Sequence, residues 1–421
     1  MQEFERLESE VRSYCRSFPV VFKQALGSLM TDQEGREYLD FFSGAGTLNY
    51  GHNNPRLKRK LLEYLQGDGI AHALDMYTAA KRAFLLRFES VILQPRGMRY
   101  KLQFPSPSGC NAVEAALKLA RKVTGRHDIV YFANAFHGMS LGALSVTANR
   151  FNRAGAGIPL THTVPMPYDG DHGPENDTLD YFEAFLKNAG LGSQLPAGVI
   201  VETVQAEGGV RTARFEWLRR LEELTKHYEI PLIVDDIQAG CGRTGPFFSF
   251  EEAGIRPDLI TLSKSLSGFG LPMSLLLIRP QMDLWKPGEH SGTFRGNNLA
   301  FVTAAEALSY WEDDSLSRSV NEKADQVRGR LKEFAAAFPD ALAQPRGRGL
   351  LQGLAFGRQG LAGQIAKAAF QKGLIIETSG PQGEVLKLMP PLVIETGQLQ
   401  RGLDIVESAL KAVIEGSAAA V

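Results

Sequence analysis

The chain has no excess of charge of either sign. Its 46 Lys+Arg stand against 47 Asp+Glu, a formal net charge of −1. No basic field or stripe results, so neither a nucleic-acid nor a membrane-surface partner is expected. Cysteine is scarce. Cys15, Cys110 and Cys241 are odd in number and lie far apart. They support neither a disulfide framework nor a metal cluster, and they fit a reducing, cytoplasmic compartment. The eight histidines include no His-x-x-x-His pair and no Cys-x-x-Cys occurs, so no metal is expected. No apolar run approaches the ~18–20 residues of a membrane span. The opening MQEFERLESEVRSYCR is charged and amphipathic, unlike a secretory signal. A nucleotide loop of the form GxxxxGK[ST] is missing, and Gly-Phe-Gly at 268–270 lacks a Rossmann context. Internal repeats and low-complexity tracts are absent too.

What is present is the balance of a globular protein: 421 residues, 44% hydrophobic and 22% charged. That length is enough for one large domain and a smaller one. Short apolar runs alternate with helical patterns through the middle. Candidate strands are Ile129–Phe132, Val199–Thr203, Pro231–Val234, Leu259–Leu262 and Ser274–Ile278, with amphipathic stretches such as Ala112–Thr124 and Glu216–Tyr228 among them. This alternation predicts an α/β fold, a mostly parallel sheet covered by helices. The ends read differently. Residues 27–42 form a hairpin pattern around Asp32-Gln33-Glu34-Gly35, and a long charged helix spans roughly Asp313–Phe338. A strand–helix–strand pattern and a last amphipathic helix follow, with a frayed tail GSAAAV. The expected division is a large domain at 61–320 and a smaller α+β domain made from 1–60 and 321–421.

Several residues carry chemistry. Asp235-Asp236-Ile237-Gln238 follows the apolar run PLIV, and Lys264 follows DLITL one strand–helix–strand unit later. Ligands of open α/β sheets sit beyond the carboxyl ends of strands. Two neighbouring strand ends thus offer an acid and an amine to one pocket. An amine there can form a Schiff base, and an acid can hold a pyridinium nitrogen protonated, as pyridoxal phosphate chemistry requires. Each has a plainer reading, a solvated lysine and a capping aspartate. Ser106-Pro107-Ser108-Gly109-Cys110-Asn111-Ala112 opens a helix and suits an anion, or is a simple cap. Phe136, in Phe136-His137-Gly138 after the strand Ile129–Phe132, can stack on a flat ring or pack in the core. Thr293, in GTFRGNNLA, adds a hydroxyl on a polar, glycine-rich loop.

Taken in order and spacing, these motifs resemble the class III (omega) aminotransferases, pyridoxal-phosphate enzymes of fold type I. The likeness spans nearly the whole chain. Finer likeness, to the branch that makes diaminobutyrate for ectoine synthesis, lies in LESEVRSYCRSFPVVF, DFFSGAGTLNYGHNNP, FHGMSLGALSVT, VDDIQAGCGRTGPFFSFEEAGI, LSKSLSGFGLPM and PGEHSGTFRGNNLAF. The resemblance implies Lys264 as the Schiff-base lysine and proton shuttle, and Asp235 as partner of the pyridine nitrogen. It implies Gln238 on the phenolic oxygen, Phe136 on the ring face, and Ser108, Gly109 and Cys110 on the phosphate. Thr293 is implied to reach the phosphate of a neighbouring subunit, in a homodimer or higher homo-oligomer. Glu207 matches a gate glutamate and Glu202 a further acidic site residue. The implied reaction is ping-pong transfer of an amine from L-glutamate to L-aspartate 4-semialdehyde, giving L-2,4-diaminobutyrate and 2-oxoglutarate. Another omega-amino acid or diamine aminotransferase, or a semialdehyde aminomutase, is the alternative. A nicotinamide-dependent dehydrogenase and a non-catalytic binding protein are the remaining rivals.

Departures from ornithine-type relatives are specific. Lys387 stands where they have an arginine before the PPL segment, Met139 where they have another arginine, and Ala45 where they have a tyrosine. These argue against ornithine or acetylornithine as substrate. A lysine is a point charge rather than a bidentate fork, so it holds a carboxylate in looser geometry. Ala206 replaces a glycine and Cys110 a threonine, which marks divergence within the closer branch.

Overall fold

A computed structural model of the protein describes residues 1–188 and 194–418. Seven strands form the central sheet: β4 (Lys101–Gln103), β5 (Ile129–Phe132), β6 (Thr163–Met166), β7 (Gly198–Val201), β10 (Leu232–Asp235), β11 (Leu259–Leu262) and β12 (Leu275–Ile278). Their order is β4-β12-β11-β10-β7-β5-β6. From β11 through β6 every pairing is parallel. β12 runs antiparallel to both β11 and β4. The reason lies in the connection. Residues 263–274, which join β11 to β12, hold one short helical turn, Lys264–Ser267, and no crossover helix of the kind that returns a strand in parallel.

β5, β7, β10, β11 and β12 are buried along their whole length. This is why they read as continuous apolar runs rather than alternating ones. Alternate residues serve the two faces. Ile129, Ile200, Ile233 and Leu259 pack with the helix Gly109–Thr124 through Val113, Ala116, Leu117 and Ala120. Val130, Val199, Val234 and Ile260 belong to the other layer, with Trp217, Leu218 and Leu221 of the helix Phe215–His227. Each buried Val, Leu or Ile contributes about 1.5–3 kcal/mol. The helix Gly109–Thr124 stops at Gly125, whose φ of +67° gives the left-handed cap that glycine accepts at little cost.

The N-terminal hairpin forms as the turn sequence predicts, with β2 (Leu29–Asp32) antiparallel to β3 (Glu37–Asp40). β1 (Phe22–Leu26) pairs on its outer side. Asp32 accepts the Glu34 and Arg36 amides, both at 2.9 Å, which sets the turn. β3 pairs parallel with β15 (Leu374–Ile375), tying the two ends of the chain together. The C-terminal sheet has the order β13-β14-β17-β16. Its strands are β13 (Gln344–Arg348), β14 (Leu351–Ala355), β16 (Glu377–Ser379) and β17 (Val385–Leu388). A small ribbon, β8 (Val204–Gln205) with β9 (Arg211–Thr212), follows β7. The charged helix runs over Ser315–Ala337, and the last over Thr396–Ala418. The tail expected to fray from Gly416 is thus helical to Ala418; residues 419–421 lie outside the described residues. No helix among the described residues is long and apolar enough to cross a membrane.

Candidate active site

Asp235 is the last residue of β10, and Lys264 lies two residues past the end of β11. The two strands are adjacent and parallel, with Asp235 opposite Thr261. Both side chains therefore reach the same end of the sheet. Asp235 is buried, and each of its oxygens has a partner. Its Oδ1 accepts from Thr261 Oγ1 at 3.0 Å and the Ile237 amide at 3.2 Å. Its Oδ2 lies 2.7 Å from His137 Nδ1. His137 is itself buried, with its amide donating to Thr147 Oγ1 at 3.0 Å. The carboxylate is thus fixed in direction by three donors.

Lys264 has a φ of +45°, a left-handed conformation that costs a non-glycine residue about 1 kcal/mol or more. Its amine donates to the Ala45 carbonyl at 2.9 Å. Burial lowers its pKa from the ordinary lysine value, while Glu207 pulls the other way. A less basic amine is closer to the neutral form that attacks a carbonyl. Ala45 belongs to a turn, Ser43–Gly46, with positive φ throughout. Asp40 Oδ1 accepts the Phe42 and Ser43 amides at 2.8 Å, and Ser43 Oγ donates to the Met389 carbonyl at 2.7 Å. The same Ala45 carbonyl takes a bond from Gln238 Nε2 at 2.8 Å.

A cavity of about 170 Å³ lies over these groups, walled by Gly109, Cys110, Phe136, Gln238, Asp235 and Lys264 among others. The helix Gly109–Thr124 opens at its edge, and the first amides of a helix have no carbonyl one turn earlier to accept them. Ser108 caps that helix. Its amide and hydroxyl both donate to Asn111 Oδ1, at 3.2 and 2.7 Å. Gly109 keeps the opening clear, since a Cβ there would lie 2.9 Å from Ile237 Cδ1. Cys110 is half-buried, and its Sγ would meet a Cβ on Gly138 at 2.6 Å. Phe136 is half-buried and also walls a larger outer cavity of about 770 Å³. Gly138-Met139-Ser140-Leu141-Gly142 has the spelling of a serine-hydrolase elbow. Ser140 is exposed, donates to Glu114 Oε1 at 2.7 Å and precedes the short helix Leu141–Ser145, whereas an elbow nucleophile stands on a sharp turn directly after a strand.

Glu202 sits beneath Phe136, whose amide donates to its Oε1 at 2.9 Å. Burial, and then the neighbouring Asp235, push its pKa well above the usual carboxylate range. By accepting that amide, Glu202 pins the Phe136 backbone. Glu207 is different. Lys387 Nζ lies 2.7 Å from its Oε1, and Gln238 Nε2 donates to the same oxygen at 3.2 Å. Burial acts to raise its pKa, but Lys387 and Lys264 outweigh it and hold it at about 2. Lys387 also lies 2.9 Å from Glu377 Oε1. Burial works against its charge, yet the two carboxylates hold its pKa above the ordinary lysine value. Burial first, and Glu207 second, push Glu377 up to about 7 against the pull of Lys387.

The structure of the chain brings together Lys264, Asp235, Gln238, Phe136, Gly109, Cys110, Glu202 and Glu207 around one cavity. Lys387 joins through Glu207. Ser108 stands next to the cavity wall, with its hydroxyl engaged by Asn111. Thr293 is exposed on a separate loop, its carbonyl 3.0 Å from His72 Nε2, and does not line this cavity. Three contributors escape sequence reading. His137 was visible in Phe136-His137-Gly138 but looks like any buried histidine. The Ala45 carbonyl has no side-chain signature. Glu377 acquires meaning only from its position opposite Lys387 in the β16–β17 register.

Gln238 Oε1 and His137 Nε2 are buried without partners. A ring hydroxyl facing Gln238, a ring cation facing Asp235 and a phosphate at the helix start would each find a partner ready. The residues present therefore fit pyridoxal phosphate.

The family model described as aminotransferase class-III matches residues 12–410. The chain is 56% identical, over 99% of its length and 97% of the relative's, to a diaminobutyrate–2-oxoglutarate transaminase of Halalkalibacterium halodurans. Identity is 58%, over 97% of this chain and 94% of the relative, to the protein of that name in Bordetella parapertussis. Among solved structures, the ornithine aminotransferase of Toxoplasma gondii superimposes with a TM-score of 0.85 at 26% identity, covering 98% of this chain and 94% of that one.

Proposed function

The chain belongs to the class-III aminotransferases of fold type I, and from that premise we propose that it exchanges an amine between L-glutamate and L-aspartate 4-semialdehyde. The products are L-2,4-diaminobutyrate and 2-oxoglutarate, and the cofactor is pyridoxal phosphate. The observation that carries the substrate assignment is identity of 52–58% over nearly the full chain to transaminases of that name. Lys387, Met139 and Ala45, which depart from the ornithine-type pattern, support the same choice over ornithine.

Pyridoxal phosphate, when bound, supplies an aldehyde for imine formation and a ring that accepts the electron pair of a broken C–H bond. The protein does the rest. Lys264 provides the amine and then takes and returns the proton at the substrate carbon. Asp235, aimed by His137 and Thr261, holds the ring nitrogen protonated. The amides of Gly109 and Cys110 would receive the phosphate, Ser108 being engaged by Asn111 as the helix cap, and Phe136 would cover one ring face. The unpartnered Oε1 of Gln238 would accept a hydrogen bond from the ring hydroxyl. Glu202 keeps Phe136 in place, and Glu207 with Lys387 gates the substrate end.

The homodimer belongs to this reading. Thr293 stands outside its own cavity, and in a neighbouring subunit's site its hydroxyl reaches the phosphate. The division into a large domain at 61–320 and a small one from 1–60 and 321–421 is also proposed. Its support is the confinement of the seven-stranded sheet to residues 101–278 and the β3–β15 pairing. The step opens ectoine synthesis and runs in the cytoplasm.

Two-substrate steady-state kinetics tests the reaction. Glutamate with aspartate 4-semialdehyde should give parallel reciprocal plots. Conversion of the semialdehyde to an isomer with its amine moved, in the absence of any amine donor, identifies an aminomutase instead and refutes the assignment.

A further inference from the structure

The gate holds one carboxylate more than a simple Glu207–Lys387 pair requires. Glu377 and Lys387 are register partners on antiparallel β16 and β17, so the backbone fixes them side by side. Side-chain exposure is 0% for Lys387, 8% for Glu377 and 27% for Glu207. Glu207 alone of the three walls both cavities. It is the member able to turn toward a ligand.

A buried cation that loses its sole partner is strongly disfavoured. Lys387 escapes that penalty, because Glu377 remains 2.9 Å away when Glu207 turns. The group that is freed is then an anion, and what stays behind is a neutral pair. An arginine with one glutamate works the opposite way, exposing a cation for an incoming carboxylate. The surroundings agree. Glu377 Oε1 has no aligned hydrogen-bond donor despite its closeness to Lys387. Ser379 lies two residues on along the same face of β16 and walls the outer cavity; its Oγ is buried without a partner. An unpartnered hydroxyl near a carboxylate that walls both cavities suits a donor-rich cation. The other acidic candidates are engaged elsewhere. Glu202 is held under Phe136 by the amide it accepts at 2.9 Å, and Asp75 is exposed outside the cavity, 3.6 Å from Arg295.

We infer that Glu207 reads the ammonium group at the non-reacting end of the substrate, and that Glu377 is the positioning residue that frees it by holding Lys387. The substrate class is a short α-amino acid that reacts at its far carbon and keeps its α-ammonium. The inference rests on the proposed reaction, which brings such a substrate to this site.

The test compares L-2,4-diaminobutyrate with 4-aminobutyrate, which lacks only the α-ammonium, as amine donors to 2-oxoglutarate. The holoenzyme and the holo forms of Glu377→Gln, Glu377→Asp and Glu207→Gln are measured. In Glu377→Gln, Glu207 is the sole counter-charge of Lys387 and stays locked to it. The kcat/KM preference for diaminobutyrate should fall by about tenfold or more. Glu377→Asp should keep most of the preference. A purely structural role predicts that both substrates decline in parallel, and that result overturns the inference. Should Glu377→Gln not fold, Glu207→Gln decides: it must lose the same preference, and retention overturns the inference. A parent enzyme with no preference for diaminobutyrate overturns the proposed reaction itself. A parent preference that survives both glutamine variants overturns this inference alone.

Discussion

Asp235 and Lys264 stand at the ends of two neighbouring strands, each announced by the apolar run before it. Glu207 and Lys387 are 180 residues apart and meet only because β17 lies against the turn after β8. The floor of the site follows from local chain pattern, whereas the gate follows from tertiary register. The two also differ electrostatically. The floor sets a carboxylate among three close contacts, with a buried amine on the neighbouring strand end. The gate sets two carboxylates on one cation, so its members have shifts of opposite direction: Glu207 held at about 2 and Glu377 pushed to about 7. The floor is a fixed frame for the reacting atoms, and the gate is the part whose charge can be redistributed.

Replacing the floor should be the most damaging change. Lys264→Ala should reduce turnover by on the order of 10³-fold or more, because the same amine forms the imine and moves the proton. Retained turnover in a coupled assay of 2-oxoglutarate release would erase the distinction between floor and gate. Asp235→Asn removes a preoriented charge and should lower kcat by about 10²–10³-fold, with little change in melting temperature. An equal loss of stability and activity would mean that Asp235 serves packing instead.

At the gate, stability is the readout. Lys387→Met leaves Glu207 and Glu377 buried without their cation, and denaturant unfolding should show a loss of about 3 kcal/mol or more. A neutral result would mean that solvent already screens the cluster. The smallest effect concerns Asp236, buried beside the floor with Oδ2 accepting the Ser249 amide at 3.1 Å and Oδ1 unpartnered. Burial pushes its pKa up from 3.8 to about 7. Between those values the folded chain binds the proton that the unfolded chain releases, so this group's contribution to stability falls as pH rises. Asp236→Asn should gain in melting temperature relative to the parent as pH goes from 4 to 8. A pH-independent difference would contradict the assigned cause.

The legible parts of the sequence share one property: they are local. β5 and β11 fall on the expected residues, since strands buried on both faces must be apolar throughout. The helix opening at Gly109 and the hairpin at β2–β3 announce themselves by small and turn-forming residues. The antiparallel course of β12 depends on a connection without a crossover helix rather than on the composition of its strand. The Ala45 carbonyl reaches Lys264 because Asp40 and Ser43 bend the chain there, a backbone effect that leaves alanine without any mark. His137 was read with its neighbours but gains its role from Asp235, far along the chain. Glu377 was invisible for the reason already given, since a lone glutamate before Thr378 and Ser379 is indistinguishable from a surface residue.

The central claim, that Lys264 and Asp235 form a pyridoxal phosphate floor under a gate suited to diaminobutyrate, is tested most directly by a visible absorbance spectrum of the purified protein. The spectrum is taken before and after L-2,4-diaminobutyrate, with L-ornithine as comparison. The account predicts a cofactor band that diaminobutyrate bleaches and ornithine does not. Bleaching by ornithine alone would contradict the substrate assignment, and no band after pyridoxal phosphate is supplied would contradict the floor itself.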